Sequence, residues 1–260
     1  MIKETLKKVR ALISHENGQT GGAGIEIMPD DIFLVSYPKS GNTWARFMLS
    51  YCMFDGLNEG DVDFATMEKY VPDIYVKKPA PDLPRPRVIK SHETYTNKYP
   101  KVIYMLRDGR DVAVSYYYHM TQRKQFNGTF SEFIRTEVPF GTWAGHVKGW
   151  TTPHPPQNIM LVKYEDMKAA PFEMLKKMIE FIGKPITDEK LRKAIEWSSF
   201  QKMKKIEQEK GLPDYFNAKG QEFVRKGVVG GWQDEFSPED LEFFLKQGAR
   251  EVLERFDYSV

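Results

Sequence analysis

The chain is poor in cysteine and nearly balanced in charge. Its 260 residues include one cysteine, Cys52, so no disulfide can form within the chain. A single cysteine fits a reducing compartment, and we expect a cytoplasmic protein. The 38 Lys and Arg residues and 36 Asp and Glu residues leave a net charge of +2. Because general nucleic-acid binders carry a strong basic excess, we expect no nucleic-acid partner.

Long apolar runs and metal-ligand spacings are also missing. The first residues, up to Ser14, alternate charged and apolar side chains and lack the apolar segment of a signal peptide. No apolar run is long enough to span a bilayer, so we expect no membrane partner. The five histidines and Cys52 show no zinc-site spacing, and we expect no metal.

One turn has the composition of a phosphate site, although it matches neither G-x-x-x-x-G-K-[ST] nor G-x-G-x-x-G. An apolar run at 32–35 leads into Y-P-K-S-G-N-T-W at 37–44, and a helical pattern follows. A helix N-terminus attracts phosphate, and a glycine lets the backbone approach an anion. A plain strand-to-helix turn is the alternative. We interpret the turn as a phosphate cradle with a stacking surface for a base, formed by Lys39, Ser40, Gly41, Asn42, Thr43 and Trp44.

A second strand, turn and helix pattern occupies residues 102–118. Arg107 stands at the end of an apolar run, and Ser115 lies two helical turns further on. Ligands of open parallel sheets collect at the carboxyl ends of strands, where an arginine can clamp a phosphate. The alternative for Arg107 and Asp108 is a surface ion pair.

A third motif is Arg225-Lys226-Gly227, within a glycine-rich stretch at 223–232. Two adjacent cations before a glycine suit a flexible phosphate clasp. Taken alone, the two cations would instead be interpreted as a solvated charge pair.

Together the motifs resemble those of the cytosolic-type sulfotransferases that use 3′-phosphoadenosine 5′-phosphosulfate (PAPS). The turn at 37–44 is similar to the family's T-Y-P-K-S-G-T-T-W, and 225–232 to its R-K-G-x-x-G-D-W. Residues 161–167 resemble its strand ending in Y-E-D, and 198–203 its T-S-F-x-x-M segment. The resemblance covers most of the chain and implies a sulfotransferase domain with a P-loop-like phosphosulfate-binding turn.

The resemblance also implies a donor site, with PAPS as the sulfonyl donor and 3′-phosphoadenosine 5′-phosphate (PAP) as the product. Lys39 would address the oxygen between sulfur and the 5′-phosphate, and the backbone of the turn would hold that phosphate. The other matching positions are Arg107, Ser115, Arg225, Lys226 and Gly227 for the 3′-phosphate, and Trp44, Tyr164, Ser198 and Phe200 for adenine.

The resemblance places the general base at His92, because Lys90-Ser91-His92 matches the family's K-T-H. A histidine pKa near ~6.5 leaves a neutral ring that can accept the acceptor's proton. Lys90 lies two residues earlier on an extended segment, so both side chains point to one side. Glu93 is a rival base, but it should point the other way. The predicted catalytic residues are His92, Lys39 and Lys90.

Five residues lie where the family builds acceptor sites: Tyr70, Tyr75, Phe140, Trp143 and His146. Their aromatic character suggests a small, apolar alcohol or phenol as the acceptor. Core packing is the alternative for each of them.

The chain is predicted to be one α/β domain, residues 1–260, with a central parallel sheet flanked by helices. An N-terminal helix and linker would occupy 1–30, and 55–86 and 207–231 would be active-site loops. Strands are predicted at 32–37, 87–90, 102–107 and 158–163. Helices are predicted at 42–54, 110–122, 129–137, 171–182, 187–196 and 238–255.

Two departures from the family pattern leave questions open. Gly231 replaces the aspartate of G-D-W, which removes a carboxylate beside the clasp. The family's dimer signature falls on 233–242 without its lysine or its Thr-Val pair, so the oligomeric state stays uncertain. An ATP-dependent phosphotransferase and a non-catalytic nucleotide-binding module of the same fold remain alternatives. The missing triphosphate-loop lysine disfavours the first, and the retained catalytic residues disfavour the second.

Overall fold

The computed structural model describes residues 25–75, 83–152, 158–213, 223–224 and 227–260. Its centre is one sheet of four parallel strands, which confirms the predicted α/β architecture. The strands lie in the order β2-β1-β3-β4. They are β1 (Ile32–Ser36), β2 (Val88–Ser91), β3 (Lys101–Leu106) and β4 (Ile159–Lys163).

The strand order creates a topological switch point between β1 and β3. The chain leaves β1 toward β2 on one side and leaves β3 toward β4 on the other. Open α/β sheets bind ligands at such a point, outside the carboxyl ends of the strands. The turn at 37–41 follows β1, and Arg107 follows β3, so both predicted phosphate motifs lie there.

The helices are α1 (Asn42–Met53), α2 (Met67–Tyr70), α3 (Gly109–Gln122), α4 (Phe130–Ile134), α5 (Trp143–Thr151), α6 (Tyr164–Ala169), α7 (Pro171–Ile182), α8 (Asp188–Trp197), α9 (Phe200–Lys210), α10 (Pro238–Phe244) and α11 (Arg250–Arg255). A 3-10 helix spans Gly231–Asp234. The sequence patterns did not predict α5, α6 or α9. In α5 the buried Trp143, Val147 and Trp150 follow helical spacing, which two glycines obscured.

Alternation along the strands separates two apolar cores. Ile32 and Leu34 of β1 belong to one cluster, and Phe33 and Val35 belong to the other. Since successive strand residues face opposite sides of a sheet, each face of the sheet carries its own core. All five residues of β1 are buried, as expected for a strand covered on both faces.

Several predicted elements are wrong in their extent. The predicted loop at 207–231 begins later, because 207–210 form the last turn of α9. The predicted loop at 55–86 contains α2. Asp73 of the same segment forms an isolated parallel bridge with Lys90 of β2. The predicted helix at 238–255 is broken at Gly248, whose φ of 87° is left-handed. The predicted N-terminal helix at 3–13 lies outside the described residues.

Candidate active site

The turn after β1 depends on a glycine at one position. Gly41 precedes α1 with a φ of 95°, and its carbonyl accepts the first helical hydrogen bond, from Ala45 N–H at 3.1 Å. A Cβ at this position would lie 2.6 Å from Cδ2 of Tyr164. Carbon atoms need roughly 3.5 Å or more, so only glycine fits between the turn and this ring.

Several buried polar atoms at the predicted donor positions have no hydrogen-bond partner in the described ranges. They include Oγ of Ser40, Nε of Arg107 and Oγ of Ser198. Ser40 and Ser198 are at most 1% exposed, and Arg107 is 9% exposed. Unpaired buried donors are costly unless a ligand satisfies them. The N-terminus of α1 also has no side-chain cap, which leaves its N–H groups for an anion. These features fit a nucleotide phosphate.

Arg107 joins the first and third motifs. Its guanidinium donates to the carbonyl of Lys39 at 3.2 Å and to the carbonyl of Val228 at 2.9 Å. It also lies 4.5 Å from the centroid of the Tyr164 ring. The structure therefore brings together the turn, the end of β3 and the loop after Gly227, as the phosphate-site prediction requires.

Aromatic side chains gather at the same place. The Tyr164 and Trp44 ring centroids are 5.9 Å apart, and the Tyr164 hydroxyl donates to the carbonyl of Gly227 at 3.3 Å. Phe200, at the start of α9, is so close that a Cβ at Gly227 would lie 3.1 Å from its ring. Of the predicted adenine-binding residues, Tyr164 and Phe200 thus both lie against Gly227, and Trp44 lies against Tyr164.

The other predicted donor-site residues are Ser115, Lys39, Arg225 and Lys226. Ser115 lies on α3 and is partly exposed. The Lys39 ammonium lies 4.1 Å from the centroid of the Phe223 ring, and Lys39 adopts a φ of 70°. Arg225 and Lys226 lie outside the described residues.

His92 is held in one tautomer by the end of β1. Its Nδ1 lies 2.7 Å from the carbonyl oxygen of Ser36, and a carbonyl can only accept, so Nδ1 carries the proton. Nε2 then keeps its lone pair. Burial, and next the charge of Lys90, hold the pKa of His92 well below 6.5. The ring is therefore neutral near pH 7, in the form that can accept a proton.

Lys90 and Glu93 have different partners beside His92. The ammonium of Lys90 forms an ion pair with the carboxylate of Asp73. Its positive charge also lowers the pKa of His92. The carboxylate of Glu93 accepts from the hydroxyls of Tyr75, at 3.1 Å, and Tyr99. Glu93 thus accepts hydrogen bonds from two tyrosines, whereas Lys90 acts electrostatically on His92.

His146 holds the backbone at His92 and Glu93. Its Nδ1 accepts from the Tyr104 hydroxyl at 2.8 Å, and its Nε2 donates to the carbonyls of Glu93 at 3.0 Å and His92 at 3.2 Å. Trp150 Nε1 donates to the same Glu93 carbonyl at 3.0 Å. Burial lowers the pKa of His146 to about 4, so this ring is also neutral.

The other acceptor-site candidates do not form one cluster. The Phe140 ring lies 5.9 Å from the His92 ring, on a backbone with a φ of 67°. Trp143 is buried, and a Cβ at Gly109 would lie 2.4 Å from its ring. Tyr70 packs on Phe54, 4.8 Å between centroids, against the opposite core. Of these three, Phe140 is the one whose ring lies against the ring of the predicted base.

Sequence reasoning missed a link between the turn and His92. Nδ2 of Asn42 donates to the carbonyl of Leu34 at 3.1 Å and to the hydroxyl of Ser36 at 3.3 Å. The Ser36 hydroxyl in turn lies 3.3 Å from Nδ1 of His92. Asn42 was predicted to bind phosphate, but no motif indicated that its amide also reaches the end of β1.

Comparison with known proteins identifies the class. A model of the sulfotransferase domain matches residues 29–256. This chain belongs to the sulfotransferase family. Sulfotransferase 1E1 of Bos taurus is 33% identical over 239 residues, which cover 82% of this sulfotransferase and 80% of the bovine protein. Sulfotransferase 1 family member D1 of Mus musculus is 32% identical over 250 residues, with coverages of 84% and 82%.

Solved structures show the same fold. Mouse sulfotransferase SULT7A1 complexed with PAP has a TM-score of 0.68 at 24% identity, covering 96% of this sulfotransferase and 93% of the mouse chain. Retinol dehydratase complexed with retinol and PAP has a TM-score of 0.64 at 22% identity, with coverages of 90% and 84%. The predicted family, fold and enzyme class, a PAPS-dependent sulfotransferase, are confirmed; the individual site residues remain predictions.

Metal-ligand clusters and membrane-spanning helices are both absent from the described residues. No group of three or more His, Cys, Asp or Glu side chains there could hold a metal ion. No helix in the described ranges has the length and apolar character needed to cross a membrane.

Proposed function

We propose that the enzyme transfers the sulfonyl group of PAPS to the hydroxyl of a small, apolar alcohol or phenol, with His92 as the general base. The observation that carries this proposal is the hydrogen bond from Nδ1 of His92 to the Ser36 carbonyl at 2.7 Å. It leaves Nε2 as a proton acceptor, while Ser36 itself leads directly into the turn that would hold the donor.

The donor would lie across the switch point between β1 and β3. The N–H groups at the start of α1 and the hydroxyls of Ser40 and Thr43 would hold the 5′-phosphate. Arg107, whose Nε is unpaired in the described structure, would hold the 3′-phosphate together with Ser115 and the clasp that contains Arg225. PAP bound in the structures of SULT7A1 and retinol dehydratase supports this use of the shared fold.

The transfer step requires little covalent chemistry from the protein. Nε2 of His92 would take the proton of the acceptor hydroxyl as its oxygen bonds to sulfur. The bond between sulfur and the 5′-phosphate oxygen breaks, and its electron pair stays on that oxygen. Lys39 would stabilise this charge, and Lys90 would stabilise the charge on the sulfonyl oxygens. In-line displacements of this type depend mainly on positioning and electrostatics.

The acceptor would bind beside Phe140. This ring contacts His92, and its φ of 67° is a strained conformation for an aromatic residue. Tyr75, whose hydroxyl donates to Glu93, packs against the same apolar core as Phe140. Retinol and androsterone are bound in solved structures of retinol dehydratase, which supports an apolar acceptor here.

Transfer of label from radiolabelled PAPS to a panel of phenols and alcohols tests the proposal. We expect labelled product with apolar acceptors and, for His92→Ala, a rate lower by about 10²-fold or more. Phe140→Ala should mainly raise KM for the acceptor. No transfer to any hydroxyl by a protein that binds PAP would contradict the proposed reaction. Transfer at the wild-type rate by His92→Ala would contradict the assignment of the base.

A further inference from the structure

The loop at 228–232 is held by a carboxylate that is distant in sequence. Asp111, in the first turn of α3, is 4% exposed. Its Oδ2 accepts from the N–H of Gly230 at 2.8 Å, and its Oδ1 accepts from the N–H of Trp232 at 3.0 Å. Two charge-assisted hydrogen bonds thus fix both ends of a three-residue backbone segment.

Neighbouring side chains dock the same loop onto α3. Arg107 donates to the carbonyl of Val228 at 2.9 Å. The guanidinium of Arg110 lies 4.0 Å from the centroid of the Trp232 ring. Arg110 is itself held by both carboxylate oxygens of Asp108, at 3.0 and 2.8 Å. The loop therefore has a built docking surface on the second motif.

The docked loop continues directly from the donor site. Gly227 precedes it, accepts from the Tyr164 hydroxyl at 3.3 Å and lies against Phe200. Gly231 stands where the resembling pattern has an aspartate, so the loop lacks that carboxylate of its own. The carboxylate that holds the loop belongs to Asp111 of α3.

We propose that Asp111 is a positioning residue for recognition of the donor's 3′-phosphate. It docks residues 228–232 onto α3 and so fixes Gly227 and Arg107 relative to the nucleotide. This inference rests on the proposed use of PAPS. It assigns to Asp111 no contact with the donor itself.

A purely electrostatic role makes the opposite prediction. Oδ2 of Asp111 lies 3.7 Å from the Arg107 guanidinium, so it partly neutralises a cation that the donor needs. If this charge dominated, removal of the carboxylate would tighten the binding of an anionic nucleotide. A positioning role predicts weaker binding.

Two substitutions separate charge from position. Asp111→Asn removes the charge and leaves one acceptor oxygen, whereas Asp111→Glu keeps the charge and displaces the carboxylate. Calorimetric titration with PAP and ADP should show, for both variants, a PAP Kd raised about tenfold or more and a smaller change for ADP. The preference for a 3′-phosphate then shrinks. KM for PAPS should rise while kcat stays within about threefold.

Asp240→Asn is the matched control. Asp240 is 6% exposed and accepts from the hydroxyls of Ser131 and Ser237, at 2.8 and 2.9 Å, at the start of α10. We expect it to lower stability and leave the ratio of PAP to ADP affinity unchanged. PAP binding by Asp111→Asn that equals or exceeds that of the wild type would overturn the positioning role alone. A wild type without a preference for PAP would overturn the proposed function itself.

If the Asp111 variants do not fold, a measurement on the wild type tests the proposal. Amide hydrogen exchange should be slow at Gly230 and Trp232, because both N–H groups are bonded to Asp111. Exchange of both amides at the rate of an unstructured chain would overturn the proposal.

Discussion

Gly41→Ala tests whether the turn and the Tyr164 ring form one unit. The left-handed backbone, φ 95°, costs a non-glycine residue ~1–2 kcal/mol. The added Cβ would lie 2.6 Å from Cδ2 of Tyr164, so the ring must move by roughly 1 Å. Overpacking of this kind costs ~1–3 kcal/mol. We expect the free energy of unfolding to fall by about 2–5 kcal/mol in urea titrations.

The displaced ring should also weaken donor binding, because Tyr164 contacts both Arg107 and Gly227. We expect the PAP Kd of Gly41→Ala to rise by about tenfold or more. Gly183→Ala is the control: Gly183 ends α7 with a φ of 84°, and an added Cβ would meet nothing within 4 Å. This variant should lose only the ~1–2 kcal/mol of backbone strain and bind PAP normally.

The comparison of these two alanine variants isolates the contact with Tyr164. Equal stability losses and equal PAP affinities in both variants would refute the reasoning, since backbone strain alone would then explain Gly41. The difference between their free energies of unfolding is the cost of moving the Tyr164 ring.

Four further variants test the roles of single residues. Lys39→Ala should abolish most turnover with only a modest loss of PAP affinity, since its role is to stabilise the leaving oxygen; a fully active variant would remove that role. His92→Ala should retain PAP affinity within about threefold while turnover falls, because the base does not hold the nucleotide; a large loss of PAP binding would contradict this separation. Asp73→Asn should lower kcat by roughly tenfold at an unchanged KM for PAPS, because Lys90 loses the carboxylate that orients it; an unchanged kcat would show that the pair is dispensable. The pKa of His146 is lowered to about 4 in the folded protein, so the unfolded chain binds this proton first as the pH falls below ~6.5. The free energy of unfolding should therefore decrease by up to about 1.4 kcal/mol per pH unit because of this group. In urea titrations, His146→Gln should flatten that dependence on pH, and an unchanged slope would contradict the prediction.

The sheet and the turn after β1 were predictable because local patterns encode them. Buried parallel strands read as continuous apolar runs, as at 32–35. Lys39 and Arg107 could be expected to meet because each follows the carboxyl end of a strand, and those ends share one edge of the sheet. The contact at 3.2 Å agrees with that geometry.

Contacts through the backbone could not be predicted. The tautomer of His92 depends on the carbonyl of Ser36, 56 positions away, and any residue type carries a carbonyl. The bonds from Asp111 to Gly230 and Trp232 likewise end on N–H groups. Side-chain identity indicates none of these pairings, because they follow from the packing of distant segments.

Aromatic residues near the acceptor were ambiguous for a different reason. Trp143 and Phe140 lie three positions apart, yet Trp143 fills the space above Gly109 while Phe140 contacts His92. An aromatic ring suits a core and a ligand site equally well. Only the three-dimensional position separates the two uses.

Calorimetric binding of PAP, compared with ADP and with ATP in the presence and absence of Mg²⁺, tests the central claim most directly. The site proposed here predicts a clear preference for PAP that does not depend on the metal, because Arg107 and the loop after Gly227 would recognise the 3′-phosphate. Equal or tighter binding of ATP with Mg²⁺ would contradict the account and point to phosphoryl transfer instead.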